Sequence, residues 1–102
     1  MKKETRDYVL SRDGYICQQC RILCSPYQLQ IAHRIKKGKG TLNHIKKNFV
    51  VDNMTDNDIK DKIIDNPMNL VTTCSLRCND SMNIFYKPVE RDSLIKKIIE
   101  SL

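Results

Sequence analysis

Tryptophan is absent from this 102-residue chain, and phenylalanine occurs only twice. An apolar core must therefore be built from Ile, Leu, Val and Tyr, and so small a core often needs a staple. Long apolar runs are missing too. Nothing approaches the roughly 20 residues that cross a bilayer. The charged N-terminus, Met1-Lys2-Lys3-Glu4-Thr5-Arg6-Asp7, is followed by no apolar segment of the kind a signal peptide carries, so cytoplasmic residence is the expectation. No repeat, low-complexity tract or linker divides the chain, and its length suits one domain spanning residues 1–102. Acidic residues are the minority charge, 12 against 18 Lys and Arg, leaving a formal net charge of +6. That balance suits a polyanion, with nucleic acid the first candidate.

What the chain does have is cysteine, five in all. An odd count argues against a complete disulfide framework, and in a reducing compartment paired cysteines are more often metal ligands. Cys17-x-x-Cys20 and Cys74-x-x-x-Cys78 have the spacing of a structural zinc site. Two such pairs, far apart in sequence, meet only if the chain folds back on itself, and four thiolates around one ion would fasten that fold. The alternative is four cysteines acting as small buried hydrophobes. Cys24 is left over as a buried or free thiol.

The pattern of the remaining chain predicts a short helix over residues 3–11, a turn at Asp13-Gly14, and a loop over 21–28. Gln28 to His33 alternates as a half-buried strand, with Leu29 and Ile31 inward and His33 on their side at the strand end. Arg34 to Lys47 carries Gly38, Gly40 and five lysines, Lys36, Lys37, Lys39, Lys46 and Lys47, and reads as a flexible basic loop or hairpin. Such a loop could grip phosphates without reading sequence, or be a solvated turn with no partner. Thr55 would cap a helix that buries Ile59, Ile63 and Ile64 and ends at Asn66-Pro67. His44, just before it, reads as a surface histidine. Leu70 to Thr73 reads as a second strand paired with the first. A helix over 78–86 and a final helix over 92–102, with Leu94, Ile95, Ile98, Ile99 and Leu102 at helical spacing, complete the chain.

Four polar residues remain: His33, Asn69, Asn79 and Asn83. A histidine at the end of a strand can be a satisfied core residue. Beside the second cysteine pair it can instead accept a proton from water. Asn79 and Asn83 are four apart, which on a helix puts both amides on one face, where their oxygens would suit magnesium or manganese. Helix capping and surface polarity are the plainer reading. Asp80 carries a carboxylate but should point away from that face.

Taken together, Cys17-x-x-Cys20, Ile31-Ala32-His33-Arg34-Ile35, Asn69-Leu70-Val71-Thr72-Thr73-Cys74 and Cys78-Asn79-x-x-x-Asn83 resemble the HNH endonucleases with a ββα-metal finger. The resemblance spans about residues 6–86. It implies an α+β fold, a small ββα-metal (His-Me finger) domain stapled by a structural zinc, with flanking helices that include one at about 92–102. It also implies metal-dependent hydrolysis of phosphodiester bonds in DNA, with RNA left open. His33 matches the general base, Asn69 the asparagine that orients it and holds the turn, and Asn79 the position of the last family histidine. Asn79 and Asn83 would hold a catalytic Mg2+ or Mn2+, and Arg34 with the five lysines would hold the backbone. The chain departs from the family at Ala32, where many members carry a metal-binding Asp or His, at Asn79, and in the extra residue of the second cysteine pair. Residues 34–68 match no family motif. Those departures define the alternative, a catalytically inactive zinc-bound nucleic-acid-binding module on the same scaffold.

Overall fold

A computed structural model describes residues 1–23 and 28–102. Residues 24–27, which include Cys24 and half of the expected loop at 21–28, lie outside the described residues. The chain forms α1 (Lys3–Arg12), β1 (Gln30–His33), α2 (Lys39–Asn48), α3 (Asp56–Ile59), β2 (Leu70–Thr73), α4 (Leu76–Ser81) and α5 (Pro88–Ser101). It is a small α+β fold around one two-stranded antiparallel sheet. No helix among the described residues is long and apolar enough to cross a membrane.

Helix α1 buries Val9 and Leu10 and stops at Asp13. Gly14 and Tyr15 follow with φ of 64° and 58°, a reversal that glycine opens at little cost. The reversal leads into a tight knuckle at Cys17–Cys20, closed by a bridge between Ile16 and Leu23. The Gln18 amide donates to the Thr72 carbonyl at 2.9 Å and so docks the knuckle on β2. Arg12 and Asp13 fasten α1 to the same strand. The Arg12 guanidinium donates to the carbonyls of Pro67 and Leu70 at 2.8 and 2.6 Å, and Asp13 accepts the Thr72 amide at 2.9 Å.

In the sheet, Gln30 faces Thr73, Ile31 faces Thr72, Ala32 faces Val71 and His33 faces Leu70. Leu29 is buried, as expected, but it precedes the strand, so its inward position does not carry over to Ile31. Within β1 the inward residue is Ala32, fully buried, while Ile31 and His33 are half-buried on the opposite face. The strand alternates as predicted; the phase is reversed.

The basic segment differs more. Residues 39–48 are a helix, not a loop or hairpin. Gly38 supplies the turn into it at φ 131°, a conformation side chains resist, and Gly40 sits harmlessly in its first turn. Burial of Thr41, Leu42 and Ile45 on one face decides the structure, with the lysines directed to solvent or to the helix ends. Thr55 caps α3 through a reciprocal pair: its hydroxyl accepts the Asp58 amide and the Asp58 carboxylate accepts the Thr55 amide, both at 3.1 Å. The helix then widens into a π-turn, Lys60–Ile64, closed by the Asp65 amide on the Lys60 carbonyl at 2.8 Å.

Helix α4 is shorter than expected and starts earlier. Ser75 caps it by accepting the Cys78 amide. It ends because Asn83 turns the chain, its Oδ1 accepting the Phe85 amide at 2.8 Å, while buried Ile84 donates its amide to the Arg34 carbonyl at 2.7 Å. Helix α5 begins at Pro88, four residues before the predicted start, because proline's fixed φ suits a first helical position. Ile95 and Ile98 of α5 join Ile35, Leu42, Ile45, Val51, Ile59, Ile63, Ile64 and Ile84 in the main core. Leu102, predicted to share that stripe, is exposed.

Candidate functional site

Folding back brings the two cysteine pairs together. The Sγ atoms of Cys17, Cys20, Cys74 and Cys78 all lie within 4.8 Å of one another. Cys20 and Cys74 are 3.4 Å apart and Cys74 and Cys78 are 3.8 Å apart. The knuckle delivers the first pair, and β2 with the start of α4 delivers the second. Burial opposes ionisation of Cys17, but the backbone amides of Cys20 and Gln19 outweigh it and bring its thiol down to about 6. Cys74 is pushed up to about 12, chiefly because its thiol serves Cys20 and then Cys17 as a proton donor. Thiols crowded this closely cannot all ionise without a cation between them, and four of them at this separation can hold a metal ion.

A cavity of about 230 Å³ opens beside this cluster, between β1 and α4. Ile31, His33, Lys36, Lys37, Asn79, Asp80 and Asn83 line it. Three of the polar residues singled out from sequence, His33, Asn79 and Asn83, therefore share one wall-to-wall space. Asn79 comes from α4. Asn83 arrives by another route, from the turn beyond the helix, so the pair does not share a helix face. Asp80, still within α4, lines the cavity rather than pointing away from it, and with it comes a carboxylate.

The His33 ring is largely buried and its Nε2 lies 2.7 Å from Asp65 Oδ1. An ionised carboxylate only accepts, so Nε2 carries the proton and Nδ1 is left as the basic nitrogen. Asp65 reaches this position because it follows the π-turn at the end of α3. Nothing in the local sequence distinguishes Asp65 from its acidic neighbours Asp58 and Asp61. The only pointer is its place immediately before the helix-ending Asn66-Pro67.

Asn69 is buried and does not line the cavity. Its side chain accepts the Ile35 amide at 2.8 Å and donates to the carbonyls of Ile35 and Ile64 at 3.0 and 2.8 Å. Its own carbonyl accepts the Arg34 amide at 2.8 Å. Among the described residues all its side-chain bonds go to backbone, so it fixes the chain leaving His33 and holds the end of the α3 π-turn against it. The carboxylate of Asp65, and not the Asn69 amide, bonds the imidazole.

The basic residues divide into groups. Lys36 and Lys37 line the cavity, and Lys37 also lines a neighbouring cavity of about 390 Å³ with Lys39, Lys60 and Asp65. Lys46 pairs with Asp56 at 3.0 Å, and Lys47 is exposed at the far end of α2. Neither lines either cavity. Arg34 passes its backbone through the core side of the site, and its Nε is buried without a partner among the described residues. His44, expected at the surface, is half-buried: its Nε2 bonds Asp92 at 2.8 Å across the α2–α5 contact, and Asn48 bonds its other nitrogen. Arg91, and after burial His44, set the Asp92 carboxyl, which lies below its ordinary value. This second histidine–aspartate pair joins two helices and is not in the cavity.

Compared with known proteins, the chain matches no protein-family model, no curated protein and no solved structure.

Proposed function

We propose that this chain is a metal-dependent endonuclease of the HNH type, hydrolysing phosphodiester bonds in DNA, with a structural zinc on its four cysteines. One observation carries the reading: His33, its Nε2 held by Asp65, shares a single cavity with the oxygen donors of Asn79, Asp80 and Asn83 and the cations of Lys36 and Lys37. His33 Nδ1 is the proton acceptor for the attacking water, and Asp65 holds the ring's tautomer and stabilises the imidazolium that forms. The Asn79, Asp80 and Asn83 oxygens are hard donors that suit Mg2+ or Mn2+ better than a thiophilic metal, with one Asn83 lone pair already committed to the Phe85 amide. Such an ion, when bound, neutralises charge on the departing 3′-oxygen. Lys36 and Lys37 attract the phosphate.

The zinc assignment rests on donor chemistry. Tetrahedral zinc with Zn–S bonds of about 2.3 Å separates its sulfurs by about 3.8 Å, and the Sγ separations of 3.4 and 3.8 Å are close to that. The site uses all four positions for protein, so it holds the fold and does no chemistry.

The test is nicking of supercoiled plasmid by zinc-loaded protein, with and without added magnesium or manganese, beside His33→Ala. Nicking that needs the second metal and disappears in a folded His33→Ala protein is the expected result. The rival, a binding module without turnover, has its own supporting observation. Ala32 has no donor atom and its methyl is fully buried, so the position that often supplies a metal ligand supplies none here. Retained DNA binding with no nicking in any metal would favour it.

A further inference from the structure

The turn that follows the cavity carries two aromatic residues in an unusual setting. Phe85 and Tyr86 meet edge to face, with ring centres 5.1 Å apart and planes at 89°. Lys36, which lines the cavity, places its ammonium 4.4 Å from the Phe85 ring centre and 4.8 Å from that of Tyr86. It also donates to the Tyr86 hydroxyl at 3.0 Å. Arg91 also lies against Phe85, 5.6 Å from its centre. Phe85 is partly buried on the core, but Tyr86 is 76% exposed.

Although exposed, the Tyr86 ring has partners that position it. Its backbone is pinned on both sides: Ile84 is buried and bonded to Arg34, and the Lys87 amide donates to the Ile84 carbonyl at 2.9 Å. The Phe85 amide is tied to the cavity residue Asn83. The ring itself meets Phe85 edge to face and Lys36 at its hydroxyl. A flat ring is thus positioned by its neighbours, open to solvent and beside positive charge, one turn of backbone from the proposed catalytic cavity. Ordered exposure of this kind has a cost in apolar hydration that burial would have removed. It suits an occupant with its own flat π-face and a negative backbone.

Resting on the nuclease reading above, we propose that Tyr86 is a stacking platform for an unpaired base of the DNA strand whose phosphate enters the His33 cavity, so that the substrate is single-stranded or locally unpaired DNA. In a duplex each base is already stacked on its neighbours and offers no free face; a base released from the stack gains roughly 1–3 kcal/mol on an aromatic ring. Lys36 then serves two contacts at once, steadying the ring and facing the adjoining phosphate.

The test is a binding titration of zinc-loaded protein without added magnesium, so that no turnover intervenes. The probes are three fluorescein-labelled oligonucleotides of equal length: an oligo-dT strand, the same strand with abasic sites, and a duplex. The expected order places oligo-dT about tenfold tighter than the abasic strand, with the duplex weaker than oligo-dT. Tyr86→Ala, at a position too exposed to disturb folding, should remove that tenfold advantage and leave abasic binding unchanged, whereas Tyr86→Phe should keep it. Equal binding of the duplex, or a Tyr86→Ala protein that still prefers bases, would overturn the proposal. If His33-dependent nicking persists beside such a result, the platform alone is wrong. If none of the three oligonucleotides binds, the nuclease reading fails together with it.

Discussion

Asp65 Oδ1 accepts a 2.7 Å hydrogen bond from His33 Nε2, across thirty-two residues of sequence. The bond fixes which ring nitrogen carries the proton, and the π-turn that ends α3 puts the carboxylate in reach. Extra turns of this kind inside helices are frequent at functional sites.

If the imidazole is the base, its carboxylate partner should matter to rate and little to binding. Asp65→Asn should reduce the nicking rate by about 10²-fold or more, since the amide loses the charge that stabilises imidazolium. DNA affinity measured by titration should stay within about twofold. An Asp65→Asn protein that nicks at the wild-type rate would remove Asp65 from the mechanism.

Asn69 predicts the opposite pattern. Asn69→Ala strips partners from one buried amide and two buried carbonyls at once. At about 1–3 kcal/mol for each group left unsatisfied, urea unfolding should show a loss on the order of 3 kcal/mol. Any fall in activity should follow the fraction folded. Full stability with lost activity would mean that Asn69 touches the chemistry directly.

The cysteine cluster is testable by metal content. Purified protein should carry one zinc ion per chain by atomic emission, and Cys74→Ser should carry far less, with Cys24→Ser unchanged. A chelator should lower the unfolding temperature sharply, because an unfolded chain offers no preformed site. Equal zinc in all three proteins would exclude the four-thiolate site.

Acid should act through Asp13. Burial raises its carboxyl, but Arg12 and the Thr72 amide outweigh that and hold it below the ordinary 3.8. A depressed carboxylate contributes stability that is complete above its unfolded value and is lost as pH falls through the folded one. Asp13→Asn should therefore be less stable than wild type at pH 7, by about 1–2 kcal/mol, and the gap should narrow below about pH 3.8. Metal release at low pH affects both proteins alike, so the difference between their urea midpoints isolates this group. A gap that widens on acidification would refute the assignment.

Much of this arrangement could be read from the residues. The cysteine spacing required a fold-back, and the Thr55 cap, the paired strands and the isoleucine stripes of α3 and α5 each carry a local signal strong enough to survive packing. The cavity's His33, Asn79 and Asn83 were also visible. The failures have a common cause. Gly38 and Gly40 advertised a loop, but burial of Thr41, Leu42 and Ile45 outweighed the propensity. Leu29 set the wrong phase because the strand starts only after it, at Gln30. Asp65, Asp80 and the Arg12–Asp13 clamp depend on where distant segments meet, and no local pattern encodes that.

Residues 34–68, the stretch that matches no motif, supply seven of the ten members of the main apolar cluster among the described residues: Ile35, Leu42, Ile45, Val51, Ile59, Ile63 and Ile64. They also supply the partner of the histidine. What looks from sequence like an insertion lengthening the path between two halves of a site is the keel of the molecule. A pared-down version joining β1 to β2 by a short turn would keep every motif residue and lose the body that holds them in place.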